Sequence, residues 1–332
     1  MSSNVINLHA PSTTAGLPAD FPHGGGVEAA AKVWQCDTSE VFDLSTGLHP
    51  AGAPNWLAGW LKEHASLVAH YPDVHAEPAR TALACEFGVE PENVLITAGA
   101  QAAIETVFQA FGWSSIAIQT PCYSEPVRCA ERSGCAVIPF QAGDDIPGAD
   151  MLWWTSPHNP TGSVAKFPEG FHGVLDESYM PFSQRRDMRL LPGVMRIGSL
   201  TKTFCIPGLR LGYVIASSDD IRRLKLWMPP WPAPTIALHL LPELLPQADE
   251  RDAIVSRGCI RLTALLAQHG WEICPSTTSF VLARPNGDMP DFASHRILAR
   301  TFPEWPELAG WFRFGIPGDA PAWQRLEEAL CP

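Results

Sequence analysis

Seven short apolar runs in the middle of the chain constrain its fold more than any other feature. They are Val94–Thr97, Ser115–Gln119, Ala136–Pro139, Met151–Thr155, Gly173–Asp176, Val194–Ser199 and Leu211–Ala216. Several are apolar on both faces, as strands must be when a sheet is covered on both sides. Helical patterns fit between them, Ala100–Ala110 after the first run and Ser124–Arg132 before the third. Alternation of this kind predicts an α/β sandwich with a mostly parallel sheet. Ligands of such sheets gather at the carboxyl ends of the strands. The loops that follow these runs are therefore where functional residues are sought.

A proline-rich passage, Met228-Pro229-Pro230-Trp231-Pro232-Ala233-Pro234, breaks the alternation. After it come a long helical pattern (Pro246–His269), a strand (Thr278–Leu282), and a further helix and strand. The 332 residues thus read as a large domain over 46–234 and a small α+β domain over 235–332. An N-terminal segment, 1–45, packs with the small domain.

Charge narrows the partners. With 23 basic and 35 acidic residues the chain carries a net charge of −12. That balance disfavours nucleic acid, whose binding draws on basic patches, and anionic membrane surfaces. Met1 to Asp20 has neither a basic start nor an apolar core, so it does not read as a secretory signal. No apolar stretch is long enough to span a bilayer. The nine cysteines are odd in number and none shows Cys-x-x-Cys spacing. Buried free thiols in a reducing cytoplasm are the better reading than a zinc cluster or disulfides. His64 and His70 lack the spacing of a zinc helix, so no metal is expected.

The most informative stretch is Ser199-Leu200-Thr201-Lys202-Thr203-Phe204-Cys205-Ile206-Pro207-Gly208-Leu209-Arg210-Leu211-Gly212-Tyr213. It sets a lysine between two predicted buried strands. Taken alone, Lys202 reads as an exposed loop lysine. The chemical alternative is an amine of lowered pKa that forms a Schiff base with an aldehyde. The Ser199 and Thr201 hydroxyls and the Arg210 guanidinium are suited to a phosphate. Three further segments follow predicted strands. Asp176-Glu177-Ser178-Tyr179 places a carboxylate at a strand end. Ser156-Pro157-His158-Asn159-Pro160-Thr161-Gly162 forms a turn. Thr97-Ala98-Gly99-Ala100-Gln101 joins a strand to a helix whose first N–H groups can meet a phosphate.

In this order, these pieces resemble the fold-type I aminotransferase superfamily, which uses pyridoxal 5′-phosphate. The likeness covers nearly the whole chain and implies a seven-stranded, mostly parallel sheet between helices plus a small α+β domain. It implies that Lys202 carries the cofactor covalently and that Asp176 pairs with its pyridine nitrogen. Asn159 and Tyr179 would bond the ring hydroxyl, and Tyr123 would stack on the ring. Gly99, Ala100, Gln101, Ser199, Thr201 and Arg210 would surround the cofactor phosphate. Tyr71 is similar to a tyrosine that reaches the phosphate of a neighbouring subunit, which implies a homodimer. The resemblance makes Lys202, Asp176 and Tyr123 the catalytic set.

The N-terminal part discriminates between reactions. His23-Gly24-Gly25-Gly26 and Asp43-Leu44-Ser45-Thr46-Gly47-Leu48-His49-Pro50 are similar to segments of the threonine-phosphate decarboxylase branch of cobalamin synthesis. That branch is close to the histidinol-phosphate aminotransferases. His49 departs from the asparagine usual there. His23, Gly24 and Gly25 read either as a turn before the helix Val27–Trp34 or as groups that bind a substrate phosphate. Gly47 is either a turn or a backbone contact with a carboxylate. Arg313, in an apolar strand, is expensive unless paired. The resemblance makes it the holder of the substrate α-carboxylate, with Asn159 close by. Arg300 reads as a substrate-binding arginine or as a solvated residue at a helix end. The expected activity is decarboxylation of L-threonine O-3-phosphate to (R)-1-amino-2-propanol O-2-phosphate. The alternative is transamination, as in histidinol-phosphate aminotransferase.

Overall fold

The computed structural model of the chain describes residues 23–186 and 190–331. Met1–Asp20, read above for a signal, lies outside the described residues. Contacts divide the chain into two units. The larger comprises residues 51–159 and 164–253; the smaller comprises residues 23–50, 160–163 and 254–331.

The larger unit is built on a seven-stranded sheet. Its strands in chain order are β1 (Val94–Thr97), β2 (Ser115–Gln119), β3 (Ala136–Phe140), β4 (Met151–Thr155), β5 (Gly173–Asp176), β6 (Val194–Ser199) and β7 (Gly212–Ile215). Their spatial order is β1-β7-β6-β5-β4-β2-β3. Only β7 runs antiparallel to its neighbours β1 and β6; every other pairing is parallel. β1, β5, β6 and β7 are buried along their whole length. This is why apolar, β-branched runs mark them in the sequence. Five of the seven expected strands keep their boundaries; β3 runs one residue further, to Phe140, and β7 is one residue shorter at each end.

The sheet unit extends past the proline-rich passage. Pro234 opens the helix Thr235–Leu244, which the sequence reading did not contain because Pro242 lies inside it. Ala237, Leu238, Leu240, Leu241 and Leu244 of this helix are buried in one cluster with Phe87, Ile96, Phe204 and Tyr213. The expected long helix starts at Ala248 rather than Pro246, after the short 3-10 turn Leu245–Gln247, and ends at Gln268.

The smaller unit holds three antiparallel strands, Trp271–Ile273, Phe280–Pro285 and Phe312–Gly315, with the middle one central. Trp271–Ile273 is too short for its alternation to show in the sequence. The closing helix, Ala320–Leu330, follows the last strand instead of preceding it. Asp319 caps that helix, its side chain accepting from the Ala322 N–H at 2.9 Å. The helix Val27–Trp34 forms as expected. Trp271 and Phe292 each meet Phe312 and Phe314 edge to face in this unit, with ring centroids 5.4–6.1 Å apart.

All nine cysteines are free thiols. Burial is not general: Cys122, Cys129, Cys135 and Cys259 are buried, whereas Cys85 and Cys331 are exposed. Among the described residues no helix is long and apolar enough to cross a membrane.

Candidate active site

The carboxyl ends of β1, β2, β4, β5 and β6 carry the residues singled out in the larger unit. Register aligns them. Thr97 and Ser199 both pair with Gly212, and Asp176 pairs with Thr155 on one side and Ile197 on the other. Asp176 ends β5 almost wholly buried, at 4% exposure. Its Oδ1 accepts from the Ser178 N–H at 3.0 Å. Burial pushes its carboxyl pKa up; hydrogen bonds from Ser178 and the charge of Lys202 act against that, and the charge of Glu177 adds to it. A carboxyl in such a setting retains its charge best when a cation meets it.

Lys202 stands in the short helix Leu200–Phe204 that follows β6. It is half-buried, and its Nζ lies 5.4 Å from the centre of the Tyr179 ring. Ser199 Oγ and Thr201 Oγ1, both buried, are 2.8 Å apart. Asn159 follows β4 and is half-buried. Tyr123 caps the start of helix Ser124–Ser133. Burial is the main cause raising its phenol pKa, so the hydroxyl stays protonated. That hydroxyl donates to Gln101 Oε1 at 3.4 Å. The Gln101 amide donates in turn to Glu105 and Glu125, each at 3.0 Å. The Gln101 side chain is thus engaged with carboxylates and with Tyr123.

A candidate anion cradle lies at the start of helix Gly99–Phe111. Gly99 has φ +78°, and a Cβ there would come 2.7 Å from Arg210 Nη2. Gly99 therefore permits both the left-handed turn and the approach of the guanidinium. The helix N-terminus contributes unpaired N–H groups and positive potential beside that cation. Arg210 itself has φ +52° and donates through Nη1 to the Pro207 carbonyl at 3.3 Å.

In the smaller unit the two N-terminal motifs meet. Gly24 packs on the Ser45 carbonyl, and the Gly25 N–H donates to Ser45 Oγ at 2.8 Å. Ser45 Oγ donates to Asp43 Oδ1 at 2.5 Å. The same Ser45 carbonyl accepts from Arg313 Nη2 at 2.7 Å. Arg313 is buried, with its guanidinium 4.8 Å from the Phe280 ring centre. The Gly47 carbonyl accepts from Ser279 Oγ at 2.6 Å, and His49 is buried. His23 is half-buried. Arg300 is not a solvated residue at a helix end. It is buried, paired with Glu304, and forms a two-way backbone bridge with Arg313. Tyr71 is 77% exposed and stacks on Trp231 at 4.3 Å.

Sequence reasoning passed over one cluster, the fully buried Glu177, Arg196 and Tyr213. The signal was available: Arg196 is a lone cation inside an apolar run. A test of the cradle follows from Gly99. Gly99→Ala forces an alanine into the left-handed region at a cost of about 1–2 kcal/mol and crowds Arg210. Urea unfolding should show that loss of stability, and an unchanged midpoint would contradict the geometry.

The chain is similar over most of its length to known proteins. A threonine-phosphate decarboxylase of Pseudomonas aeruginosa is 27% identical over 331 residues, covering 93% of this chain and 96% of that protein. A histidinol-phosphate aminotransferase of Shigella flexneri is 27% identical over 299 residues, covering 78% of this chain and 83% of that protein. The crystal structure of a histidinol-phosphate aminotransferase from Sinorhizobium meliloti, in complex with pyridoxal 5′-phosphate, superposes with a TM-score of 0.80. It is 18% identical and covers 92% of this chain and 94% of that one. The strand-end residues described above fit that cofactor: an amine for its aldehyde, a buried carboxylate for its ring nitrogen, and a helix start with a guanidinium for its phosphate. The aminotransferase class I and II pattern matches residues 39–318, most of the chain, and this protein belongs to that family.

Proposed function

We propose that this enzyme decarboxylates L-threonine O-3-phosphate to (R)-1-amino-2-propanol O-2-phosphate, a step of cobalamin biosynthesis, in the cytoplasm. The observation that carries this reading is the end-to-end similarity to the Pseudomonas aeruginosa threonine-phosphate decarboxylase, which spans 96% of that protein. The packing of His23–Gly25 on the Asp43–Ser45 segment adds support, because these are the segments in which the decarboxylase resemblance lies.

Pyridoxal 5′-phosphate, when bound, supplies an aldehyde for amines and a ring that accepts electrons. Lys202 Nζ is the amine that holds it. Asp176 keeps a proton at the ring nitrogen by charge pairing. Gly99, Ala100, Ser199, Thr201 and Arg210 bind its phosphate, with Gln101 turned toward Glu105 and Glu125. Asn159 and Tyr179 would hold the ring hydroxyl, and Tyr123 would stack on the ring. Arg313 grips the substrate carboxylate through paired N–H donors. His23, Gly24, Gly47 and Arg300 are the candidates for the remaining substrate oxygens. Once the substrate amine has displaced it, Lys202 Nζ, or a water, would return to Cα the proton that replaces the departing carboxylate.

A second reading is transamination of the histidinol-phosphate type. It is favoured by the equal identity of the Shigella flexneri relative, and it uses the same residues. Purified holoenzyme supplied with L-threonine O-3-phosphate is expected to release carbon dioxide stoichiometrically with the amino-alcohol phosphate. Keto-acid formation without carbon dioxide contradicts the decarboxylase reading and supports transamination.

The enzyme works as a homodimer in this proposal, with Tyr71 reaching the cofactor phosphate of a second copy. The exposed Tyr71–Trp231 stack supports this. So does the exposure of Val74 and Trp231 close by in the same unit. Sedimentation should give a dimer for the native chain and a monomer for Trp231→Glu; a monomeric native enzyme contradicts the assignment.

A further inference from the structure

Directly behind Asp176 the sheet buries a second carboxylate. Side chains alternate along a strand, so Glu177 turns to the face opposite Asp176. Because Asp176 pairs with Ile197, Glu177 comes opposite Gly198, which itself pairs with Tyr213. Arg196, two residues before Gly198, shares that face. Glu177, Arg196 and Tyr213 have no exposed surface. Arg196 donates through Nε to Glu177 Oε2 at 3.0 Å and through Nη2 to Oε1 at 3.1 Å. The Tyr213 hydroxyl donates to the same Oε1 at 2.7 Å. Gly198 makes this possible, since a Cβ there would overlap the Tyr213 ring.

The peptide is held as firmly as the side chain. The Glu177 N–H donates to the Ile197 carbonyl at 2.8 Å. The Glu177 carbonyl accepts from Arg185 Nη2 at 2.9 Å, and Arg185 is also fully buried. A buried ion pair is a weak device for stability, since apolar residues of similar volume do as well or better. What such a pair does supply is a single geometry, because a carboxylate with a forked guanidinium and a hydroxyl on it has one low-energy position.

We propose that Glu177, Arg196 and Tyr213 are positioning residues that hold Asp176 in register with the cofactor ring from the rear face of the sheet. The proposal rests on the assignment of Asp176 to the cofactor made above. One peptide bond joins the two carboxylates, so any displacement of Glu177 moves Asp176 with it. Glu177 also acts through space: burial raises the proton affinity of Asp176, and the Glu177 charge adds to that effect. A group acting in this way affects the cofactor only through Asp176.

A double-mutant cycle tests this. Tyr213→Phe removes one hydroxyl and keeps the ring over Gly198; Glu177→Gln keeps the shape and removes the charge. Full-length protein freed of cofactor is titrated with pyridoxal 5′-phosphate, and affinity and the visible spectrum of the bound cofactor are recorded. Tyr213→Phe and Glu177→Gln are each expected to weaken binding roughly three- to tenfold and to shift the spectrum. Asp176→Asn is expected to weaken binding at least as much. Combining Tyr213→Phe with Asp176→Asn should then give no further loss, because the path runs through Asp176. Additive losses, or unchanged affinity and spectrum in a folded Tyr213→Phe, overturn the proposal. So does a Tyr213→Phe that fails to fold, which would make the hydroxyl structural. If Asp176→Asn itself leaves affinity and spectrum unchanged, the assignment of Asp176 fails instead.

Discussion

Strand alternation puts two consecutive carboxylates on opposite faces of a sheet covered on both sides. Each must be compensated where it lies, since an uncompensated buried carboxylate costs several kcal/mol. Glu177 is compensated within the protein, by Arg196 and Tyr213. Asp176 has Ser178 and the distant charge of Lys202, and its carboxyl pKa remains raised. That asymmetry is the physical basis of the site. The sheet completes the rear carboxylate and leaves the forward one with capacity for a cationic ring. The register of β5 against β6 and β7 decides which is which.

The sheet was legible because its strands are buried on both faces and so cannot hide their composition. Lys202, Asp176 and Gly99 were legible because each lies at or just past the end of a strand, and Arg210 because it follows Lys202 in the same loop. Three things were not. Helix Thr235–Leu244 was masked by the prolines around and within it, although Pro234 sits where a helix tolerates it, just ahead of the first turn. Glu177 needs a partner nineteen residues away on another strand, and pairings of that kind follow from register, which local pattern does not reveal. Arg300 left two readings open because an arginine after Ile297-Leu298-Ala299 can close a helix or face a ligand; its bridge to Arg313 and pair with Glu304 depend on contacts that local pattern does not reveal.

Net charge gave a coarse guide. A balance of −12 argues against polymeric phosphate, yet Arg210 stands against Gly99 at the start of a helix. Local field, more than total charge, governs a small anion. The family follows from the whole chain, while the reaction does not follow from the fold, since one scaffold carries many chemistries. The choice between decarboxylation and transamination is made by what holds the substrate carboxylate and phosphate. Arg313, Gly25 and Asp43 are linked through Ser45 by hydrogen bonds within one unit.

The central claim is that the strand-end cluster of Lys202 and Asp176 is where the cofactor is held. Borohydride reduction of the holoenzyme, followed by peptide mapping with mass spectrometry, tests it most directly. The account predicts a pyridoxyl group on the peptide containing Lys202 and on no other lysine. A pyridoxyl group on a different lysine, with Lys202 unmodified, contradicts it.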